Sequence, residues 1–493
     1  MLAMRDTIRF MLGSEIRELI APDPTMTVLQ YLRREAGRSG TKEGCAEGDC
    51  GACTVVLGER HGQTMRYRAV NACIQFLPQL DGKQLITVED LSRDGDALHP
   101  VQQAMVEHHG SQCGFCTPGF VMSMFALHHD DGRTGPCDDD EIEAALAGNL
   151  CRCTGYGPII EAARSGCGQD PTDHFAREER MTVTTLRKIS GNSAVGYERH
   201  DRRYFAPVTL DELCGLAVKN SDAHIISGVS DVGLWVTKQH RALQTVISIG
   251  NVAELKTLKR RRDHIEIGAG VTISAAEPML AENYPGLAPL VRRFASRQIR
   301  NVATIGGNIA NGSPIGDMPP ALIALGTELQ LRKGKRARSL LLEDFFIKYG
   351  RQDRAPGEIV TGVRIPRLSK HDRYRCYKLS KRFDQDISSV LGAFWLRLDG
   401  DMVADIRIAF GGMAGVPQRA HAAEQILVGS RWDDADINRA AAALEKDFAP
   451  LTDMRGSARY RMIAARNLVR KFHLETTGDA VGDLYGSRGQ SHV

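Results

Sequence analysis

Four cysteines near the N-terminus constrain this chain more than any other feature. Cys45, Cys50 and Cys53 are spaced C-x4-C-x2-C, and Cys73 follows on the next segment. Their sulfurs can meet only if the intervening chain turns tightly and keeps its side chains small. The loop Gly44-Cys45-Ala46-Glu47-Gly48-Asp49-Cys50-Gly51-Ala52-Cys53 satisfies that condition. Its glycines permit positive φ and let bare N–H groups approach sulfur. The spacing is that of the thiolate ligands of a [2Fe–2S] cluster. N–H···S hydrogen bonds there stabilise the charge added on reduction. Zinc favours paired CxxC units, and this loop matches them poorly.

The flanks read as a small α+β assembly. Residues 54–57 and 67–70 have strand character. Residues 26–35 form an amphipathic helix with Leu29, Tyr31 and Leu32 turned inward.

A second set follows. Cys113-Gly114-Phe115-Cys116 is a CxxC unit and Cys151-Arg152-Cys153 a CxC unit. The spacing by itself leaves zinc, a redox disulfide and a cluster all open. The context adds helix signals. Pro118 and Pro158 sit where first helical turns begin, and Asp138 with Glu141 makes a capping pair. Helices are expected through Phe120, Val121, Met124 and Phe125, over 159–164, from Asp138 to near Gly148, and over 101–108. Both cysteine pairs then precede helix starts, whose free N–H groups suit an anionic cluster. Cys137, Cys167, Cys214 and Cys376 lack partners at ligand spacing and read as ordinary thiols.

Composition sets the surroundings. Of 493 residues, 42% are hydrophobic and 25% charged, enough for about three separate cores. The net charge of +3 calls for neither nucleic acid nor an acidic membrane. The run Arg332-Lys333-Gly334-Lys335-Arg336 reads as a solvated hairpin tip. No segment nears the ~18 apolar residues of a membrane span. The N-terminus lacks a signal-peptide core, so the expected location is cytoplasmic. Cysteines this dense in such a chain point to metal rather than disulfides.

Beyond a polar stretch at 167–195, read as a linker, two glycine-bearing loops stand out. One is Ile225-Ile226-Ser227-Gly228-Val229-Ser230-Asp231 with Val232. The other runs from Ala303 through Thr304-Ile305-Gly306-Gly307-Asn308 to Asp317. Small residues in series can leave successive N–H groups open to an anion, although a plain turn has the same pattern. Gly268-Ala269-Gly270 lacks the third glycine of a dinucleotide fingerprint. Further on, strands are expected over 389–396 and 403–410. Helices are expected from Asp436, as N-cap, to Lys446 and over 459–472. The end of the chain is Gly/Ser-rich and reads as a disordered tail.

These motifs together resemble the small subunit of bacterial xanthine dehydrogenases, within the molybdenum hydroxylase family. The likeness spans about residues 8 to 475. It rests on Glu43 to Thr54, on Gln112-Cys113-Gly114-Phe115-Cys116-Thr117-Pro118-Gly119 and on Asn149-Leu150-Cys151-Arg152-Cys153-Thr154-Gly155-Tyr156. It continues through the two glycine loops and Lys378-Leu379-Ser380-Lys381-Arg382 with Asp386-Ile387.

The resemblance implies a multidomain α+β architecture. A ferredoxin-like β-grasp domain (1–87) would hold one [2Fe–2S] cluster on Cys45, Cys50, Cys53 and Cys73. A helical-bundle domain (88–166) would hold the other, nearer the molybdenum, on Cys113, Cys116, Cys151 and Cys153. After the linker (167–195) come an α+β FAD-binding domain (196–368), an α+β C-terminal domain (369–475) and the tail (476–493). FAD contacts carry over to Ile225, Ile226, Ser227, Gly228, Val229, Ser230, Asp231, Val232, Phe294, Thr304, Gly307, Asn308, Asp317, Val360 and Lys378. Val229-Ser230 stands where the family often has Asn-Thr. The loop is expected to tolerate this because backbone N–H groups do the binding.

The implied function is electron transfer during oxidation of hypoxanthine or xanthine to urate. Electrons would pass from a partner's molybdenum cofactor through both clusters to FAD and NAD+. No side chain of this chain would be catalytic toward the purine. The implied partner is a large molybdopterin-binding subunit, in a heterotetramer of two small and two large chains. The alternatives are the equivalent subunit for aldehydes or other N-heterocycles, a stand-alone NADH diaphorase, and a non-enzymatic zinc scaffold.

Overall fold

Hydrophobic alternation near the N-terminus builds the first layer. In the computed structural model, strands β1 (Thr7–Leu12), β2 (Glu15–Ile20), β3 (Thr54–His61), β4 (Thr64–Asn71) and β5 (Gln84–Ile86) form one sheet in the order β2-β1-β5-β3-β4. The β1–β5 pair is parallel and its neighbours are antiparallel. Helix α1 (Val28–Arg34) opens on a capping box between Thr27 and Gln30. It buries Val28, Leu29, Tyr31 and Leu32 in a core with Ile8, Phe10, Val55 and Leu57. This is a β-grasp arrangement with the first cysteine loop between α1 and β3. The described residues are 4–92, 97–130, 135–167, 173–191 and 193–478.

Four helices follow: α2 (Pro100–Glu107), α3 (Thr117–His128), α4 (Asp139–Leu146) and α5 (Gly157–Gly166). Helix α3 is apolar on all sides, and such a helix must be covered on all sides. Phe120, Val121, Met124 and Phe125 accordingly share a core with residues of α2, α4 and α5. Pro118 and Pro158 lie in the first turns of α3 and α5, and Asp138 and Glu141 cap α4 reciprocally. The helix positions match the capping signals within a residue or two.

The stretch read as a linker differs from that expectation. Within 167–195, α6 (His174–Arg177) and α7 (Glu179–Ser190) are helical. The reason is spacing: Thr182, Val183, Leu186 and Ile189 fall on one face of α7 and are buried. That apolar face is interleaved with charged residues, so composition read as polar while periodicity specified a helix.

By its internal contacts the chain divides into two compact units. One comprises 1–253 with 295–303, the other 254–294 with 304–493. In the first, β6 (Val195–Arg199), β7 (Arg202–Ala206), α8 (Leu210–Lys219), β8 (His224–Ile226), α9 (Val232–Thr237) and β9 (Thr245–Ser248) follow α7, and their sheet has the order β6-β7-β9-β8. Tyr197, Tyr204, Ile226 and Val246 share a core with the β-grasp residues, which is why this segment belongs to the cluster-bearing unit.

The second unit contains an antiparallel sheet of Leu258–Arg260, His264–Gly268, Ile359–Pro366, Glu328–Lys333 and Arg336–Leu341, in that order. The basic run turns at Gly334 between the last two strands, as a hairpin tip. Helices include Ile305–Asn311 and Met318–Ala324. An antiparallel sheet of Asp372–Leu379, Val390–Asp399, Met402–Gly411 and Gln418–Arg419 packs with helices His421–Leu427, Asp434–Asp447 and Ala458–Thr477. The helix expected to start from Asp436 is capped by Asp433, whose Oδ1 accepts from the Asp436 N–H at 3.0 Å. The last helix runs to Thr477, past the expected start of the tail. Residues 479–493 of the tail lie outside the described residues. Because Leu186 is fully buried, Leu186→Ala should destabilise the first unit by about 3 kcal/mol, measured by urea unfolding of the full chain.

Candidate functional site: two cysteine sets and two glycine loops

The structure brings the first four cysteines into one cluster of sulfurs. The Cys45 thiol interacts with those of Cys50 and Cys73, and Cys73 also reaches Cys53. Cys53 and Cys73 are buried, while Cys45 and Cys50 are half-buried. Backbone N–H groups of Glu47, Asp49 and Cys50 point at Cys45 Sγ from 3.4, 3.3 and 3.3 Å. The Cys50 and Cys73 thiols, then the N–H groups of Cys50 and Glu47, hold Cys45 well below the usual thiol range. Asn71 Nδ2 donates to the Gly48 carbonyl at 2.8 Å and pins the loop from the β4 side.

The second set pairs head to tail. Cys113 lies against Cys153, and Cys116 against Cys151. The Phe115 N–H, then the Cys153 thiol, lower the Cys113 thiol, and burial pushes Cys116 up to about 12. Cys116 is the N-cap of α3, and Cys153 precedes α5. Cys113 and Cys153 are exposed, and so are the apolar side chains of Phe115, Leu150 and Tyr156 around them.

A single tetrahedral zinc requires sulfurs about 3.8 Å apart on every edge, from its Zn–S length of about 2.3 Å. Two bridged irons spread the four sulfurs further. Among the described residues, no three cysteine sulfurs lie within 4.8 Å of one another. Both sets therefore fit a two-iron cluster better than one ion.

The group that does converge within 4.8 Å is His99, His128, His129 and Asp173. The Val101 N–H donates to His99 Nδ1 at 3.3 Å, so the ring proton of His99 sits on Nε2. That Nε2 lies 2.8 Å from Asp173 Oδ2, and His129 Nε2 lies 2.7 Å from the same oxygen. Asp173 Oδ1 accepts from the Ala176 N–H at 2.9 Å and caps α6. This arrangement is a hydrogen-bonded hub joining α2, α3 and α6. Spacing could not have announced it, because His99 and Asp173 are far apart in sequence. Burial alone would raise the Asp173 carboxyl, but donation from His129 and His99 holds it well below the usual carboxylate range.

The two glycine loops differ in kind. In the first, Val229 adopts φ of +49° although β-branched, a conformation that costs free energy and clusters at ligand-binding turns. Among the described residues, the N–H groups of Gly228, Val229 and Ser230 have no protein acceptor. Successive open N–H groups of this kind are able to cup an anion. A Cβ on Gly228 would lie 1.7 Å from the Val302 carbonyl oxygen, so only glycine fits.

In the second loop the N–H groups at the helix start, Ile305 to Gly307, are already committed. Ile305 donates to Val271 O at 3.0 Å, Gly306 to Ala269 O at 3.0 Å and Gly307 to Thr304 Oγ1 at 3.1 Å. Open N–H groups are present in the first loop, whereas those at 305–307 are taken because this helix start is pressed against the turn after the strand ending at Gly268. What the second unit offers instead is side chains. Asn308 Oδ1 accepts from the Met318 N–H at 3.2 Å. Asp317 pairs with buried Lys378 at 2.6 Å, and its other oxygen accepts from Ser388 Oγ at 2.6 Å. Lys378 Nζ also donates to the Arg293 carbonyl at 3.2 Å. Sequence reading did not single out Arg293 or Ser388. Phe294 and Val360 are buried in the same unit, and residues 225–232 belong to the first unit.

Within the first unit the elements lie in sequence. The Leu150 N–H, one residue before Cys151, donates to the Cys50 carbonyl at 3.0 Å. Thr237 Oγ1, on the helix that follows the first glycine loop, donates to the Ala46 carbonyl at 2.8 Å.

Four family models match the chain in order. A 2Fe-2S iron-sulfur cluster binding domain covers residues 12–76, and a [2Fe-2S] binding domain covers 87–164. The FAD binding domain in molybdopterin dehydrogenase covers 197–368, and the CO dehydrogenase flavoprotein C-terminal domain covers 375–476. Xanthine dehydrogenase of Emericella nidulans is 33% identical over 528 residues, covering 95% of this chain. The chain spans only 38% of that relative's length. Among solved structures, reconstituted CO dehydrogenase from Oligotropha carboxidovorans has a TM-score of 0.52 at 27% identity, covering 54% of this chain and 94% of that one. Quinoline 2-oxidoreductase from Pseudomonas putida 86 has a TM-score of 0.50 at 25% identity, covering 55% and 95%.

Two outcomes test these assignments. Gly228→Ala should abolish flavin retention, read as the flavin absorbance of purified protein, while Val229→Gly should keep it. Asp173→Asn should cost about 2 kcal/mol at neutral pH, from loss of hydrogen bonds to a charged acceptor. A depressed carboxyl stabilises the fold above its unfolded value, about 3.9, and the contribution fades as pH falls through the folded value. The gap between wild type and variant in urea unfolding should therefore be full above about pH 5 and narrow in stronger acid.

Proposed function

The chain belongs to the molybdenum hydroxylase family, as the iron–sulfur and flavin part of such an oxidoreductase, and from that premise we propose that it is the electron-transfer subunit of a xanthine dehydrogenase. In this reading hypoxanthine or xanthine is oxidised at a molybdenum cofactor on a large partner chain, and NAD+ is the final acceptor. When bound, the two [2Fe–2S] clusters carry single electrons and the flavin converts them to a two-electron transfer.

The observation that carries the proposal is the order of contacts in the first unit. The second cysteine set is exposed and surrounded by Phe115, Leu150 and Tyr156. That face suits a partner chain, since exposed aromatic residues mark interaction surfaces. Behind it, Leu150 is hydrogen-bonded to Cys50, and Ala46 to Thr237 beside the open glycine loop. Cys113, Cys116, Cys151 and Cys153 would hold the outer cluster, and Cys45, Cys50, Cys53 and Cys73 the inner one. The open N–H groups of Gly228, Val229 and Ser230 would take an FAD phosphate.

The residues' work is placement and tuning. Three N–H groups at Cys45 Sγ stabilise negative charge on the inner set. The buried Asp317–Lys378 pair holds the second loop at its end, with Phe294, Thr304, Gly307, Asn308 and Val360 as the remaining flavin contacts. The large molybdopterin-binding subunit is taken to be a separate chain, which is compatible with a CO dehydrogenase chain that is itself covered to 94% by part of this one. We take the assembly to be two small and two large chains.

Metal and flavin analysis of the purified complex should give two [2Fe–2S] clusters and one flavin per chain, without zinc. Anaerobic NADH should bleach both the flavin and the iron–sulfur absorbance. Cys113→Ser should block reduction of the flavin by the purine and spare its reduction by NADH. Loss of both reactions would reverse the assigned order, and a complex that bleaches with an aldehyde but not with xanthine would reassign the substrate.

A further inference from the structure

Between the two cysteine loops lies a buried side-chain amide with every hydrogen-bonding position filled. Asn149 is 3% exposed. Its Nδ2 donates to the Gly51 carbonyl at 3.0 Å and to Thr54 Oγ1 at 3.2 Å, both on the first loop's exit. Its Oδ1 accepts from Ser123 Oγ on α3 at 2.7 Å and from Gln298 Nε2 at 2.9 Å. A side-chain amide has two donors and two acceptor lone pairs, and here all four are used. Gln298 is fully buried, and its Nε2 also reaches Ser123 Oγ at 3.1 Å. Three polypeptide segments thus meet on one amide.

The backbone around it has no slack. Gly51 has φ of +69°, and a Cβ there would lie 2.2 Å from the Gly148 carbonyl oxygen. A Cβ on Gly119 would lie 2.3 Å from the Gly51 carbonyl oxygen. The loops touch through backbone because no side chain separates them. The residue after Asn149 is Leu150, whose N–H donates to Cys50 O at 3.0 Å. That hydrogen bond closes a continuous bonded route from Cys50 through Leu150 to Cys151. Coupling between two redox groups decays less through covalent and hydrogen bonds than across a gap.

We propose that Asn149 is a positioning residue that fixes the register of the two cysteine loops and so maintains the Cys50–Leu150 link as the electronic contact between the two clusters. Asn149 ligates nothing itself. It acts by preventing the loops from sliding past each other, which would break one hydrogen bond and open a gap. The proposal rests on the assignment of both cysteine sets as cluster ligands. It is independent of the substrate, the acceptor and the identity of the partner.

The test uses the full chain in its complex. Asn149→Asp keeps the size of the side chain and both acceptor positions but removes the two donors to Gly51 O and Thr54 Oγ1. Iron content and visible circular dichroism report whether both clusters are held. Electron paramagnetic resonance of the dithionite-reduced protein reports the magnetic interaction between two reduced clusters, with no need for turnover. The expected result is full iron, with the spin–spin splitting of the native protein lost. Ser123→Ala, which removes one partner of Asn149 from a helix face, should weaken the splitting in the same direction. An Asn149→Asp protein with native splitting would overturn the proposal. So would one that loses a cluster, since Asn149 would then support ligation rather than register. Failure of purine-to-NAD+ activity with normal splitting in the native protein would overturn the functional reading and leave this one standing.

Discussion

The close approach of backbone to backbone between the two cysteine loops is the constraint from which the rest of the first unit follows. Gly51 and Gly119 leave no space for a β-carbon, because each would meet a backbone carbonyl, of Gly148 and of Gly51. Helix α3 must therefore start within contact of the first loop, and everything that fixes α3 also fixes the loop. Its apolar surface is covered by α2, α4 and α5 in one core. The same core takes in Tyr67 and Val56 of the β-grasp sheet, and Val183 and Leu186 of α7. One packed interior thus runs from the sheet through the helices to a segment whose composition looks like a linker. A local shift at the cysteines would have to repack all of it, because close-packed interiors transmit strain.

The chemistry at the sulfurs was the most legible part in sequence. C-x4-C-x2-C with its glycines specified a tight loop, and Pro118, Pro158, Asp138 and Glu141 marked helix starts that the structure contains. Each of those signals is local: a residue type at a fixed offset has one dominant physical use. What stayed illegible was long-range. The His99–Asp173–His129 hub joins positions that no spacing rule connects. Gln298 meets Asn149 across a large sequence separation. Helix α7 was masked for a different reason: its charged face dominated the composition, and only the period of Val183, Leu186 and Ile189 carried the signal.

The two glycine loops show how one sequence pattern can have two physical outcomes. Both are runs of small residues, a pattern that can present successive N–H groups. At 228–230 the chain turns through a positive φ at Val229, and among the described residues no protein acceptor takes these N–H groups, so the donors remain open. At 305–307 the chain enters a helix beside the turn after a strand, and carbonyls of Ala269 and Val271 take the donors. Whether small residues expose or spend their N–H groups depends on what packs beside them. That information is tertiary, and composition does not contain it. The buried Asp317–Lys378 pair fixes the end of that loop through side chains rather than through backbone donors.

A buried amide at the junction of the cysteine loops, rather than another leucine, follows from what each can specify. An apolar contact would exclude water and fill the space, but it would allow the loops to slide by a fraction of a residue at little cost, since hydrophobic burial has no direction. An amide with two donors and two acceptors in fixed directions penalises any slide, because each lost partner leaves a buried polar group unsatisfied at about 1–3 kcal/mol. With all four bonds made, its burial carries no such penalty in the native register. Stability could be supplied by either kind of residue. Register is supplied only by the directional one, and a route that depends on a single hydrogen bond between Cys50 and Leu150 needs register more than it needs stability.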